Sequence, residues 1–451
     1  MTTTDVQPPE HRPAPPSAGL PGPARTPQAP PRRELRRKRQ VTTLVLVGGI
    51  ASLPMLQPFG MGPGPGNTGL PDLTLVIVTA TMLLWAGTRR LPVRWPYLIP
   101  TCLTIIAGGI AAIVNDGAGA LTLVKDLFVL LWAVSIANLC RDPKTLKFAM
   151  RAWVWIGTFY ALVMIVGFVL GIEALSGKQL DGERAQFTFG DANYASNWFI
   201  CVYFISRASH IPEKTWQRWT VCGILLAAEG LTGSNGGALA LGAAIFLGYL
   251  FRLVREGKAH HAIAVGALAT IVGGGGIAVL SVVDIQPYLQ QASDASPILR
   301  DSIGRTTGES TNSRSTVLST TVRMIKEQTH PWGIGPGRTE KDMLYNQETY
   351  VREAHNDYIA AVLERGFLGG IALIVLLCTV LLQCVRIARR NALKPEFAAV
   401  VPRPELFGCL IAVFLISGLF YEVLHYRHGW AFFGLIAAVY LFGRKETETT
   451  R

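Results

Sequence analysis

Twelve apolar runs, each long enough or nearly long enough to cross a hydrocarbon layer, constrain this chain more than any other feature. They lie at about 41–57, 71–88, 96–114, 121–139, 148–172, 192–206, 219–231, 236–251, 261–283, 356–385, 406–424 and 428–443. Backbone in lipid finds no water to bond, so each run is expected as a helix and the fold class as an all-α polytopic membrane protein. Composition agrees, with 50% hydrophobic and only 16% charged residues in 451.

The net charge of +12 reads as topology rather than as a nucleic-acid surface. Basic residues fill alternate loops: Arg89, Arg90 and Arg94; Arg141, Lys144 and Lys147; Arg207, Lys214 and Arg218; Arg252, Arg255 and Lys258; and Arg386 to Arg403. Cytoplasmic loops carry that excess, which places these five inside, together with the tract Arg32 to Arg39 and the residues Arg444 and Lys445. Both termini inside demands an even number of crossings, which twelve satisfies. The expected division is a disordered, Pro-rich basic tail (1–40), helices one to nine (41–283), a large extracytoplasmic loop with an amphipathic helix (284–355), helices ten to twelve (356–443) and a short tail (444–451). The first apolar run lacks a small-residue cleavage site, so it reads as a membrane helix and not a signal peptide. None of the seven cysteines falls in an outer loop, so no disulfide or zinc site is expected.

Residues that carry chemistry gather on the outer side. In Val351 to Gly370 a polar loop becomes a membrane helix, with His355 and Asn356 at the changeover. His355 is read in the first turn, where the helix dipole disfavours the imidazolium and leaves a base. Alone, it would equally read as a helix anchor. Gly366 and Gly370 form a GxxxG spacing, with Gly369 beside them, expected to admit a neighbouring helix closely. The outer loop Glu173 to Asp191 carries Arg184, and Asp191 is expected to cap the next helix, whose open amides favour an anion. Asn193 and Asn197 share one face of that helix, although ordinary interface asparagines would look the same.

The long outer loop carries SRSTVLSTTVRMIKEQ, whose spacing puts Arg314, Leu318, Val322 and Ile325 on one buried or membrane-facing side and Arg323 in water. A guanidinium on an apolar face calls for an anionic partner. Lys125, Asp126, Glu229, Glu364, Arg365 and Glu422 all fall in the outer part of their runs, where each would cost about 2.5–3.5 kcal/mol at a helix centre. Their one-sidedness predicts a polar cavity opening outward.

These groups match what transfer of a sugar from a lipid diphosphate needs. Arginines supply permanent, planar donors to the diphosphate, a role that falls to Arg184 and Arg314. A base takes the proton of the attacking hydroxyl, a role that falls to His355. Arg352 and Arg365 stand close enough in sequence to assist the leaving charge, with Asn356 and Asn193 in support. No acidic cluster with metal spacing appears outside, so a reaction without metal or other cofactor is expected.

The same residues resemble a known family. His355, Asn356, nine residues, Gly366, two residues and Gly369 fit the histidine–asparagine motif of the O-antigen ligase family, and Arg314 to Leu318 fits its arginine-x3-leucine motif. RAQFTFGDANYA and PWGIGPG are similar to two further elements, and the likeness covers about residues 150–385. Where family members often carry arginine after the serine of the mid-chain turn, this chain reads Asn235. The resemblance implies twelve spans in a bacterial cytoplasmic membrane and an undecaprenyl-diphosphate-linked glycan donor. It also implies catalysis by His355 with Arg184 and Arg314 on the diphosphate. The acceptor, whether glycan, lipid or protein, stays open, as does ligation against polymerisation. A glycolipid or polysaccharide transporter is the competing class. It predicts related halves, with ionisable residues and broken helices at mid-membrane, whereas this chain shows no internal repeat and carries its charges outward.

In a chain stripped of its native cysteines, a membrane-impermeant maleimide is expected to label Lys341→Cys in intact cells and Lys394→Cys only after permeabilisation. The reverse pattern would overturn the orientation.

Overall fold

A computed structural model of the protein describes residues 32–57, 69–177, 184–280, 309–327, 331–348, 351 and 354–445, with isolated positions 290, 291, 294, 300 and 303; residues 32–39, 270–280 and 309–314 are described by their backbone alone. The chain divides into residues 1–40 and 41–451. In the first unit the described residues 32–40 are helical, whereas a disordered tail was expected up to residue 40. Arginine, lysine, glutamate and glutamine are good helix formers, which explains why the helix begins upstream of the apolar run. The expected disorder of residues 1–31 lies outside the described residues.

A helix stands on every apolar run. These are α1 (Arg32–Ser52), α2 (Leu70–Thr88), α3 (Leu98–Val114), α4 (Ala120–Leu139), α5 (Pro143–Val169), α6 (Ala192–Ser209), α7 (Thr215–Leu231), α8 (Asn235–Arg255) and α9 (Ala259–Leu280). After α10 (Glu309–Glu327) and α11 (Thr339–Tyr345) come α12 (Asp357–Ala388), α13 (Glu405–Ser417) and α14 (Arg427–Ala438), which continues as a π-helical turn to Gly443. Among the described residues there is no strand beyond a single bridge between Leu393 and Arg444. Among the described residues, five helices, α2, α4, α5, α8 and α12, are long and apolar enough to cross a membrane by themselves.

Three helix pairs join elements distant in sequence, α3 on α12, α4 on α14 and α8 on α13, while α6 packs on its chain neighbours α5 and α7. Lipid tails are as apolar as leucine, so the contacts hold through close packing, and large aromatic rings fill the interior. Trp153 stacks on Trp198 with centroids 5.6 Å apart, and Trp132, Phe199, Phe407, Phe432 and Phe433 are buried around them. Ile99, Ile113, Leu84 and Ile263 are at least 70% exposed, a rim of greasy surface that suits acyl chains.

Helix α10 forms where the sequence predicts it, but its protein-facing side is Val317, Thr320, Thr321 and Met324, which pack toward Met343 and Leu363. Leu318 is exposed and Arg323 reaches Glu348 in the open. The sequence carries two overlapping apolar faces here, and the core takes Val317 and Met324. Arg314 is placed by its backbone alone.

A break in α12 positions the polar residues at the start of that helix. Gly366 has φ 65° and ψ −171°, a conformation open in practice only to glycine, and it releases the carbonyls just before it. The loop Pro331–Arg338 fills the gap: Ile334 N donates to Leu363 O at 2.9 Å, Gly335 N to Glu364 O at 3.0 Å, and Phe367 N donates back to Pro331 O at 3.3 Å. A Cβ on Gly366 would lie 2.0 Å from Pro331 O, and one on Gly119 would lie 2.3 Å from Pro336 O. Asn115 Nδ2 donates to Gly333 O at 2.9 Å, so the α3–α4 turn grips the other side of the same loop. This corrects the expected role of the GxxxG spacing. Gly366 receives a loop rather than a neighbouring helix, and the nearest atoms to a Cβ on Gly369 or Gly370 belong to α12 itself. Beyond the break, residues 367–388 span about 33 Å at 1.5 Å per residue, enough for the hydrocarbon core.

Gly366→Ala is expected to destabilise the fold by about 1–3 kcal/mol from its backbone alone, and more from the clash. Gly370→Ala meets only the flexible Val362 side chain at 2.8 Å and should cost less. Thermal unfolding in micelles separates the two, and equal midpoints would remove the wedge from this account.

Candidate active site

The N-terminus of α12 is fastened from two sides. Asn356 is its N-cap: Oδ1 accepts from Tyr358 N and Ile359 N, both at 3.0 Å, which satisfies two of the amides a helix start leaves open. Its Nδ2 donates to Leu419 O at 3.1 Å. Asp357 N donates to Gly418 O at 2.9 Å, and the Asp357 carboxylate accepts from Val423 N at 3.0 Å. Tyr358 closes the contact by donating to Leu415 O at 2.9 Å. The connector after α13, residues 418–426, is thereby held against the helix start.

His355 precedes this cap. It is half-buried, in the left-handed backbone region with φ 49°, and lies outside the helical turns rather than in the first turn as the sequence suggests. The reason is local: Asn356 makes a better cap than histidine, and the helix begins behind it.

Beside the helix start lies a cavity of about 310 Å3, bounded by α3, α4, α12, the connector and the start of α14. Five of the six outward ionisable residues picked from the sequence line it: Lys125, Asp126, Glu364, Arg365 and Glu422. The sixth, Glu229, sits apart on α7 and accepts from Ser196 Oγ at 3.2 Å. Arg365 pairs with Asp126 across the α4–α12 contact, so the partner that Asp126 could not find in its neighbour Lys125 comes from another helix. Glu364 accepts from Gly337 N at 2.8 Å and from Thr339 Oγ1 at 2.9 Å, which ties the cavity wall to the wedged loop.

Three further groups of the wall were not picked out from sequence: Asp357, His425 and Arg427. A signal was present, since YEVLHYRHGW packs four ionisable residues into a short outer turn between two apolar runs. Arg427 reaches across to α2, where Nε and Nη2 hold both carboxylate oxygens of Asp72 at 3.1 and 3.0 Å. Asp72 also accepts from Gly69 N at 2.9 Å, bracing its own helix start.

A second polar cluster adjoins the first. Arg184 Nε donates to Thr232 O at 2.8 Å and Nη2 to Asn193 Oδ1 at 2.9 Å. Ser234 Oγ donates to Asn193 Oδ1 at 3.0 Å and lies 3.0 Å from Tyr421 OH. Asp191 caps α6 as expected, accepting from Tyr194 N at 2.8 Å. Arg184 and Asn193, singled out separately from sequence, are thus brought together by the α7–α8 turn. Tyr421 precedes Glu422 of the cavity wall, and the same connector holds Asp357. Asn197, one turn beyond Asn193, faces inward instead and lies 2.8 Å from Nε2 of the fully buried His428. The Arg314 side chain and the whole of Arg352 lie outside the described residues.

A family model described as O-antigen ligase matches residues 220–374, about a third of the chain. The match runs from α7 through the Ser234 turn, α10, the wedged loop and His355 to just past the break in α12. It bears out the resemblance to the O-antigen ligase family, a family of membrane glycan-transfer enzymes. Arg184 and Asn193 fall before the matched span. No curated protein matches the chain.

Removing one partner of a nearly buried bidentate pair strands the other charge, at a cost of about 3–5 kcal/mol. Arg427→Ala is therefore expected to destabilise the protein strongly, and Asp72→Asn in the same chain to recover much of the loss. Denaturation of the two single variants and the double variant measures the coupling, and additive effects would deny that the two side chains act as a pair.

Proposed function

We propose that this protein, with its O-antigen ligase match at 220–374, is a membrane glycosyltransferase. It moves a glycan from an undecaprenyl-diphosphate donor onto an acceptor hydroxyl at the outer face of a bacterial cytoplasmic membrane, with twelve crossings and both ends inside. The observation that carries the reading is the position of His355. It stands at a capped helix start, two residues before Asp357, which lines a charged cavity next to the Arg184 cluster.

In this reading the acceptor hydroxyl gives its proton to His355 while its oxygen attacks C1 of the donor sugar. The bond from C1 to the diphosphate breaks, the configuration at C1 inverts, and the lipid diphosphate leaves with the bonding pair. Developing charge on that group calls for permanent donors, the role assigned to Arg184 and Arg314, with Arg352 in support. Arg365 is engaged with Asp126, which gives it a positioning part in the cavity wall. Asn356 and Asn193 likewise position, the first as cap of α12 and the second as the acceptor that orients Arg184.

The test is transfer in nanodiscs from an undecaprenyl-diphosphate oligosaccharide in the presence of EDTA. His355→Ala is expected to lose about 10²–10⁴ in kcat, the contribution of a general base. Arg184→Ala and Arg314→Ala are expected to raise the donor KM as well. Full activity of His355→Ala would remove the base, EDTA-sensitive turnover would remove the metal-free mechanism, and no turnover by wild type with any acceptor would favour transport. Product length separates a polymerase from a ligase.

A further inference from the structure

The cavity beside α12 is not consumed by these roles, since the proton is assigned to His355 and the diphosphate to Arg184 and Arg314. Its charge is close to balanced: three cationic and four carboxylate side chains line it, a formal excess of one negative charge. The two guanidiniums in the wall are already committed, Arg365 to Asp126 and Arg427 to both oxygens of Asp72. A diphosphate placed here would meet more negative than positive charge in a setting that screens poorly. A neutral polyol meets the opposite situation. Each of its hydroxyls donates to a carboxylate and accepts from an N–H, and fixed, paired side chains offer both.

The rest of the wall agrees. Thr101 and Thr104 of α3, whose hydroxyls donate to Tyr97 O and Pro100 O, keep lone pairs to accept from a ligand, and the Trp430 indole, pinned by its Nε1 bond to Leu424 O at 2.7 Å, contributes a flat apolar surface. A sugar ring has that same mixture of polar rim and C–H face, and aromatic side chains with a fixed polar end serve such amphipathic ligands. The volume of about 310 Å3 lies within the range of small-ligand pockets, about 300–1,000 Å3.

We propose that this cavity is a subsite for the uncharged sugar residues of a glycan, separate from the place where the lipid diphosphate binds. The proposal deepens the glycosyltransferase reading and rests on it for the source of the sugar. The commitment of both wall guanidiniums is what favours the sugar: neither seeks a counter-ion from the ligand, and the wall carboxylates keep lone pairs for its hydroxyls.

The probe is the phosphate-free oligosaccharide released by mild acid from the host's lipid-linked glycan, radiolabelled and equilibrated with protein in nanodiscs. Wild type is expected to bind it, excess inorganic pyrophosphate to leave it bound, and Thr104→Phe, which fills the cavity, to weaken it at least tenfold. Trp430→Ala should weaken it comparably, and His355→Ala should bind normally. Displacement by pyrophosphate, unchanged binding in both wall variants, or no binding by wild type would each overturn the subsite. In the transfer assay, Thr104→Phe should raise KM for the acceptor if the cavity holds acceptor sugar, or for the donor if it holds donor sugar. Sugar binding without transfer by wild type would count against the enzyme and leave the subsite standing. Transfer with both KM values unchanged in Thr104→Phe would do the reverse.

Discussion

A broken helix inside a membrane protein leaves carbonyls that only protein can satisfy, and this necessity organises the structure around α12. At Gly366 the ladder of α12 stops, and the backbone of residues 331–338 supplies the missing donors. The wedge lies between the break and the α3–α4 turn, so one set of main-chain bonds fixes three elements at once. Glu364 and Arg365, the last residues before the break, are then held where one bonds the wedge and the other bonds α4. The cavity wall is a by-product of repairing a helix.

The second constraint is the connector 418–426. It accepts from the Asn356 side chain and the Asp357 amide, donates to the Asp357 carboxylate, and through Tyr421 lies within hydrogen-bond distance of the serine that holds Asn193 and Arg184. Two polar clusters, one around α4 and α12 and the other around Arg184 and Asn193, share this strip of chain. His355 stands one residue before the Asn356 cap, outside the turns of α12.

Much of this was legible in the chain. Apolar length located the helices, since backbone in lipid leaves few alternatives. One-sided placement of ionisable residues located the cavity, since Lys125, Asp126, Glu364, Arg365 and Glu422 are costly anywhere else. Partners were not legible. Asp126 with Arg365 and Asp72 with Arg427 depend on which helices touch, and hydropathy carries nothing about that. The break at Gly366 was hidden as well, because GxxxG reads as helix packing unless the loop that fills the gap is already in place. On α10 the sequence offered two apolar faces, and tertiary packing decided between them.

The pair between Asp72 and Arg427 joins residues 355 positions apart. A ribosome delivers α2 to the membrane long before α14 exists, so the acidic end of α2 waits through most of synthesis for its guanidinium. The same holds for Asp357, whose amide partners at 423 and 424 emerge later than its own helix. These contacts therefore close last, when the final helix is in place. A chain halted before residue 427 leaves Asp72 without its guanidinium, an unpaired charge held only by the amide at its own helix start.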